Sequence, residues 1–304
     1  MNAFQPTGPK LFEGEKWCVL TGVLGPVLGL LILIYVAIFG NVENPQHGGD
    51  LLRAASFNTA SGIFIIAVAA FVPLANFKPR LRWWIDFYII FSGLGSYILE
   101  TIQHARGVSP RIPTNLTTLW GVNFVITQVF AAMAVGIMWY TIMVMIGLFR
   151  KDSLEKRPLM VWAARYGMIG SMLGFIGGLW MIIDYNITLT KELTHSIIYF
   201  HGYAFHGLQA VPFMAAFLER VNMPEASRRR LIHWGGWTFT LSAVLLGLQV
   251  LVDHKSLTSI TPIMSVAAIL VVAWACLFAY SGLLYLRSRR GASSIGKGEA
   301  VRQS

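Results

Sequence analysis

Two of the chain's seven histidines, His201 and His206, lie inside one apolar stretch, THSIIYFHGYAFHGLQAVPFMAAFLER, which runs from Thr194 to Arg220. His195 stands at its mouth, and Gln209 follows His206. A strongly polar side chain at membrane depth costs roughly 2–3 kcal/mol unless it meets a partner, a cavity or a cofactor. Histidine there serves three chemistries: axial ligation of haem, ligation of copper, zinc or iron, and proton relay. On one continuous helix, His195, Tyr199, Gly202, His206 and Gln209 share a stripe, and His201 projects about 140° from His206. The two deep histidines therefore need separate partners. Glu100 and His104, one helical turn apart, and Gln249, Asp253 and His254 are the candidates. His201, His206 and His104 are the expected cofactor-binding residues. Glu100, His104, His195, His201 and His254 are the expected metal ligands, with Gln249, Asp253 and Gln209 as polar support. A second reading has Glu100 and the histidines carrying protons in a transporter or sensor. In the bland reading, Glu100 is hydrogen-bonded to a neighbouring helix or to Arg106.

The elements that must position these residues are membrane helices. The 304 residues are 55% hydrophobic and only 12% charged, where soluble domains carry about 25%, and the mean hydropathy is +0.60. A spanning helix needs roughly 20 apolar residues. Eight stretches qualify, near 17–40, 55–77, 83–106, 118–149, 159–184, 194–219, 231–253 and 262–287. The expectation is an all-α, polytopic bundle over 1–290 with a disordered cytoplasmic tail at 291–304.

The net charge of +10 is a topology signal and does not point to nucleic acid. Eighteen of the 24 basic residues fall in alternate connections: Lys10 and Lys16; Lys78, Arg80 and Arg82; Arg150, Lys151, Lys156 and Arg157; Arg220 and Arg228 to Arg230; and the tail. That alternation predicts cytoplasmic N- and C-termini and a multi-pass protein of the inner (plasma) membrane. The lipid bilayer is the implied partner, with a redox partner or a membrane complex to join.

Along the chain, Gly25 and Gly29 have the small-xxx-small spacing of a close helix contact. His47 and Asp50 read as solvated loop residues. Asp86, Gly93, Tyr97, Glu100 and His104 recur on one helical face, with Glu100 roughly 9 Å outside the midplane. His201 sits at a similar height and His206 near the centre. Arg165 reads as a snorkelling cation, and Gly167, Gly170, Gly174, Gly177 and Gly178 as a packing face. Asn186-Ile187-Thr188 is a glycosylation sequon. Cys18 and Cys276, the two cysteines, fall at different depths, which argues against a disulfide and excludes a thiolate cluster. Walker, HExxH and Gly-x-Ser-x-Gly motifs are absent. A twenty-residue interval recurs between Trp84 and His104 and between Trp234 and His254, an echo that would make the bundle a parallel four-plus-four repeat.

His201-Gly202, Pro212-Phe213, Asn222, Pro224, a basic turn and Trp234 follow one another in an order that resembles the low-spin-haem helix of haem-copper oxidase catalytic subunits. The resemblance covers about thirty residues and implies His201 as an axial haem ligand on a helix running from outside to inside. The paired histidines and the His-x-His helix of that family are absent, so oxygen reduction is not implied. The leading expectation is thus a membrane protein with a haem or transition-metal site in its outer half, serving electron transfer or cofactor handling.

Overall fold

In the computed structural model, residues 8–45, 47–111, 121–184 and 191–302 are described. The sequon at 186–188 and the first residues of the expected fourth span lie outside them. The elements are α1 (Lys16–Phe39), β1 (Glu43–Asn44), β2 (Gly49–Asp50), α2 (Leu51–Phe71), α3 (Pro79–Ala105), α4 (Val122–Phe149), α5 (Lys151–Lys156), α6 (Pro158–Asp184), α7 (Lys191–Phe205), α8 (Gly207–Leu218), α9 (Glu225–Gly247) and α10 (Pro262–Arg302). A 3₁₀ turn over Val72–Ala75 extends α2, and a π turn over Leu248–Val252 extends α9. Seven of these helices are long and apolar enough to cross a membrane: α1 to α4, α6, α9 and α10. The chain is an all-α, multi-pass membrane protein.

The expected sixth span is interrupted. Its residues form α7 and α8, which meet at His206, and neither alone reaches spanning length. Pro212 has no N–H to offer the carbonyl of Leu208, and the amide of His206 is shared between the carbonyls of Gly202 (3.2 Å) and Tyr203 (3.1 Å). At the other end of the chain, the backbone of α10 continues as helix to Arg302, through the tail expected to be disordered.

The chain divides into two compact units, Lys10–Gly147 on one side and Met1–Pro9 with Leu148–Ser304 on the other. In the Lys10–Gly147 unit, α1 is buried only along a narrow stripe that includes Gly22, Gly25 and Gly29. A Cβ on Gly25 would stand 2.8 Å from the Cα of Gly62 on α2 and 2.8 Å from the Tyr97 hydroxyl on α3. The small-xxx-small spacing is therefore a helix contact. α2 begins at Leu51 because the Asp50 carboxylate accepts the amide of Leu52 at 2.9 Å, an N-cap. α3 opens on Pro79, where the missing N–H costs nothing.

In the second unit, the glycines of α6 form the expected packing face: Gly167 and Gly170 lie against Gly207 and Ala204, and Gly174 against Phe205. Arg165 is buried, not snorkelling. It donates to the carbonyls of Leu148 (2.9 Å) and Arg150 (3.2 Å) and lies 4.7 Å from the Trp162 ring centroid, closing the C-terminus of α4. Arg157 and Glu219 form a buried two-bond pair at 2.8 and 2.6 Å, and Arg157 also donates to the Pro9 carbonyl at 3.1 Å.

Candidate functional site

The C-terminal end of α3 brings Glu100, His104 and Arg111 together. The helix stops at a Gly signal: Gly107 takes φ +75°, its amide donates to the His104 carbonyl (3.0 Å), and the Val108 amide donates to the Gln103 carbonyl (2.9 Å). These two bonds make a Schellman motif, which a side chain at Gly107 would strain. The turn sends the chain back along α3 and brings Arg111 onto Glu100. Arg111 Nε lies 2.6 Å from Glu100 Oε1, and Nη2 donates to Oε2 at 3.1 Å. Its guanidinium also lies 5.0 Å from the Phe57 ring centroid.

His104, one turn after Glu100, completes the cluster. Its Nε2 is 2.9 Å from Glu100 Oε2, although off the hydrogen-bond axis. Its Nδ1 accepts the backbone amide of Asp50 at 3.0 Å. Accepting at Nδ1 leaves the ring proton on Nε2, facing the carboxylate. The Glu100 side chain is 0% exposed, His104 1% and Arg111 38%. The hairpin that supplies Asp50 is fixed in turn: Ser109 N donates to the His47 carbonyl (2.9 Å), and Asn41 Nδ2 to Asp50 Oδ1 (3.0 Å). Asp50, expected to be a solvated loop residue, is thus a cap and a latch. Arg106, one of the two partners that the bland reading offered Glu100, donates to Gln103 at 2.6 Å.

The remaining candidates belong to the other unit and do not gather into a three-ligand site there. His195 and His254 are exposed. His206 is exposed too, and its Nδ1 lies 3.3 Å from Gln209 Oε1. Gln249 is buried but engaged with its own loop, donating to the carbonyls of Ser256 (2.7 Å) and Ser259 (3.1 Å) and accepting from Thr261. Asp253 is exposed. His201 donates Nδ1–H to the Gly174 carbonyl at 2.7 Å, with its ring edge-on to Phe205 and against Gly178. A bond of that kind on Nδ1 is the usual anchor of an imidazole that ligates through Nε2. The fit to haem goes no further than that single bond.

The chain matches no protein-family model, no curated protein and no solved structure. The reading of the site therefore rests on its geometry. Among the described residues, one group of three metal-competent side chains comes together, and it contains no histidine: Glu15, Cys18 and Asp86. Sequence reasoning missed it because Asp86 comes from α3 while Glu15 and Cys18 stand at the start of α1, as it missed Arg82, which binds Glu15 at 2.9 Å through Nε. Arg157 and Glu219 escaped for the same reason. The Arg111 contact had a signal in the sequence, the Arg106-Gly107 helix stop that reverses the chain.

Proposed function

We propose that the protein is a proton-coupled membrane transporter whose Lys10–Gly147 unit carries protons along one face of α3. The observation that supports this is the row Asp86, Tyr97, Glu100 and His104, of which Tyr97, Glu100 and His104 are fully buried. From Asp86 to His104 is eighteen residues, about 27 Å at 1.5 Å each, nearly the roughly 30 Å of an apolar bilayer core. Beside the row, Asn58 donates to Thr101 at 3.0 Å. Asn58 Oδ1 and the hydroxyls of Tyr97 and Tyr140 are buried without hydrogen-bond partners. Each such orphan costs about 1–3 kcal/mol, a cost relieved by internal water. Waters bridging these groups would complete a file of alternating donors and acceptors.

The His104 cluster would act as the file's outer end. Because Nε2 already carries its proton, a second proton arrives at Nδ1 and displaces the Asp50 amide. The carboxylate of Glu100 offsets the new charge, with Arg111 and, through Asp50, Arg53 as the other charged groups within reach. Protonation is thereby tied to release of the hairpin that caps α2. The broken α7–α8 pair supports the transporter class, since discontinuous helices are a recurring feature of transporter sites. In this reading α7 and α8 together form the sixth of eight spans, both termini are cytoplasmic as the basic residues favour, the membrane is the plasma membrane, and the two units are a four-plus-four repeat.

Reconstitution into liposomes loaded with a pH-sensitive dye tests the proposal. An imposed pH gradient should collapse faster than in protein-free liposomes, and Glu100→Gln and Tyr97→Phe should each slow the collapse. Wild-type vesicles as tight as empty ones would refute it. A second reading, haem on His201, draws on the Nδ1 bond to Gly174 and on the resemblance of that helix to a haem-bearing one. It requires a Soret band in the purified protein that His201→Ala removes, and a colourless protein from haem-replete cells eliminates it.

A further inference from the structure

The N-terminal ends of α1 and α3 enclose a second cluster, unrelated to the histidines. Glu15 precedes α1, Cys18 follows within its first turn, and Asp86 faces them from α3. Cys18 Sγ lies 3.9 Å from Asp86 Oδ1, and one ligand atom of each residue lies within 4.8 Å of the other two. The three line a cavity of about 250 Å³, walled by Trp17, Trp83 and Phe87. The Glu15 side chain is 0% exposed. Its Oε1 accepts Arg82 Nε and Nη2 at 2.9 and 2.5 Å, while among the described residues Oε2 meets no cation and no backbone donor, and the carboxylate otherwise faces only Cys18 and Asp86. A carboxylate held in place, stripped of water and facing a thiol and a second carboxyl group is an expensive arrangement that a cation would complete.

We propose that Glu15, Cys18 and Asp86 bind one divalent transition cation of the zinc class. Metal–sulfur and metal–oxygen bonds of about 2.3 and 2.1 Å span a 3.9 Å separation at an angle of about 125°, near tetrahedral. A sulfur ligand selects for zinc-like ions over magnesium or calcium. On binding, the Cys18 S–H bond breaks, a sulfur–metal bond forms and the proton leaves to water. Thiolate, two carboxylates, the Arg82 guanidinium and a divalent ion then sum to zero charge, which suits a buried site. The cavity supplies the fourth position for water or an exchanging ligand. Arg82 acts as a positioning residue, since holding Oε1 aims Oε2. Asp86 is also the first group of the α3 row, but the site is tested by equilibrium binding, which requires no proton movement along α3.

Cobalt titration of the purified full-length protein in detergent tests the site. One cobalt per chain should bind with a thiolate-to-cobalt charge-transfer band, and zinc should displace it. Cys276, the other thiol, is exposed on α10, so Cys276→Ser should keep the band and Cys18→Ser should abolish it. Arg82→Gln should weaken binding about 10-fold, the usual effect of removing a group that orients a ligand. If Cys18→Ser fails to fold, Cys276→Ser still decides, because Cys18 is then the only thiol present. Absence of the band in Cys276→Ser, or its survival in folded Cys18→Ser, overturns the proposal.

Discussion

Replacing Glu100 by Gln separates an ion cluster from an ordinary hydrogen-bond acceptor. Arg111 approaches both oxygens of the carboxylate, and His104 approaches Oε2. An amide has one acceptor oxygen and presents N–H to one side. Turned toward Arg111, its oxygen leaves the amide N–H facing the His104 Nε2–H; turned the other way, it faces the guanidinium with a donor. His104 cannot relieve this by changing tautomer, because its Nδ1 is committed to the Asp50 amide. The Arg111 half is 38% exposed, so water recovers most of that loss and under about 1 kcal/mol remains. The His104 half is buried, and an unsatisfied group there costs about 1–3 kcal/mol. The substitution should therefore destabilise by about 1–4 kcal/mol, summing those two contributions. Reversible unfolding in mixed micelles measures it, and a double-mutant cycle with Arg111→Gln should return a coupling under about 1 kcal/mol. A loss below about 0.5 kcal/mol for Glu100→Gln, the level of an ordinary surface change, would refute the donor count.

Three further outcomes follow from other parts of the chain. Glu219→Gln or Arg157→Met should cost about 3–5 kcal/mol in the same unfolding assay, whereas the double apolar replacement should recover most of it, since a buried pair is dearest when only one partner is removed. Gly25→Leu should lower the yield of folded protein and destabilise by at least about 1–3 kcal/mol, because its side chain would have to enter the α1–α2 contact; Gly40→Ala, where a Cβ meets nothing within 4 Å, is the control for glycine loss as such, its own positive φ included. Reporter fusions after Arg157 and Arg230 should read cytoplasm and those at Asn115 and Lys191 the outside, and one clear reversal would mean a miscounted span.

The helices were legible because hydropathy over some twenty residues needs no partner to be read. The buried face of α3 was legible for a related reason: period 3.6 places Gly93, Tyr97, Glu100 and His104 together, and all four are buried. What escaped was everything set by contacts between elements. The stripe drawn through His195, Tyr199 and His206 turned out to lie on an exposed face, because neighbouring helices decide which side of a helix is covered. Counting cysteines speaks only to an all-thiolate cluster, whereas a mixed ligand set needs only one thiol, and Glu15 and Asp86 stand 71 positions apart. Arg165 was misplaced because snorkelling and capping a neighbouring helix look alike until the neighbour is known.

The turn after α3 also sets an order of events at the ribosome. Glu100 is made eleven residues before Arg111, an interval of about 0.5–2 s at 5–20 residues per second. During that interval α3 carries a carboxyl group whose guanidinium does not yet exist. Because Glu100 and Arg111 stand only eleven positions apart, the Schellman turn lets the carboxylate meet its guanidinium within one short stretch of chain, before any helix after α3 is made.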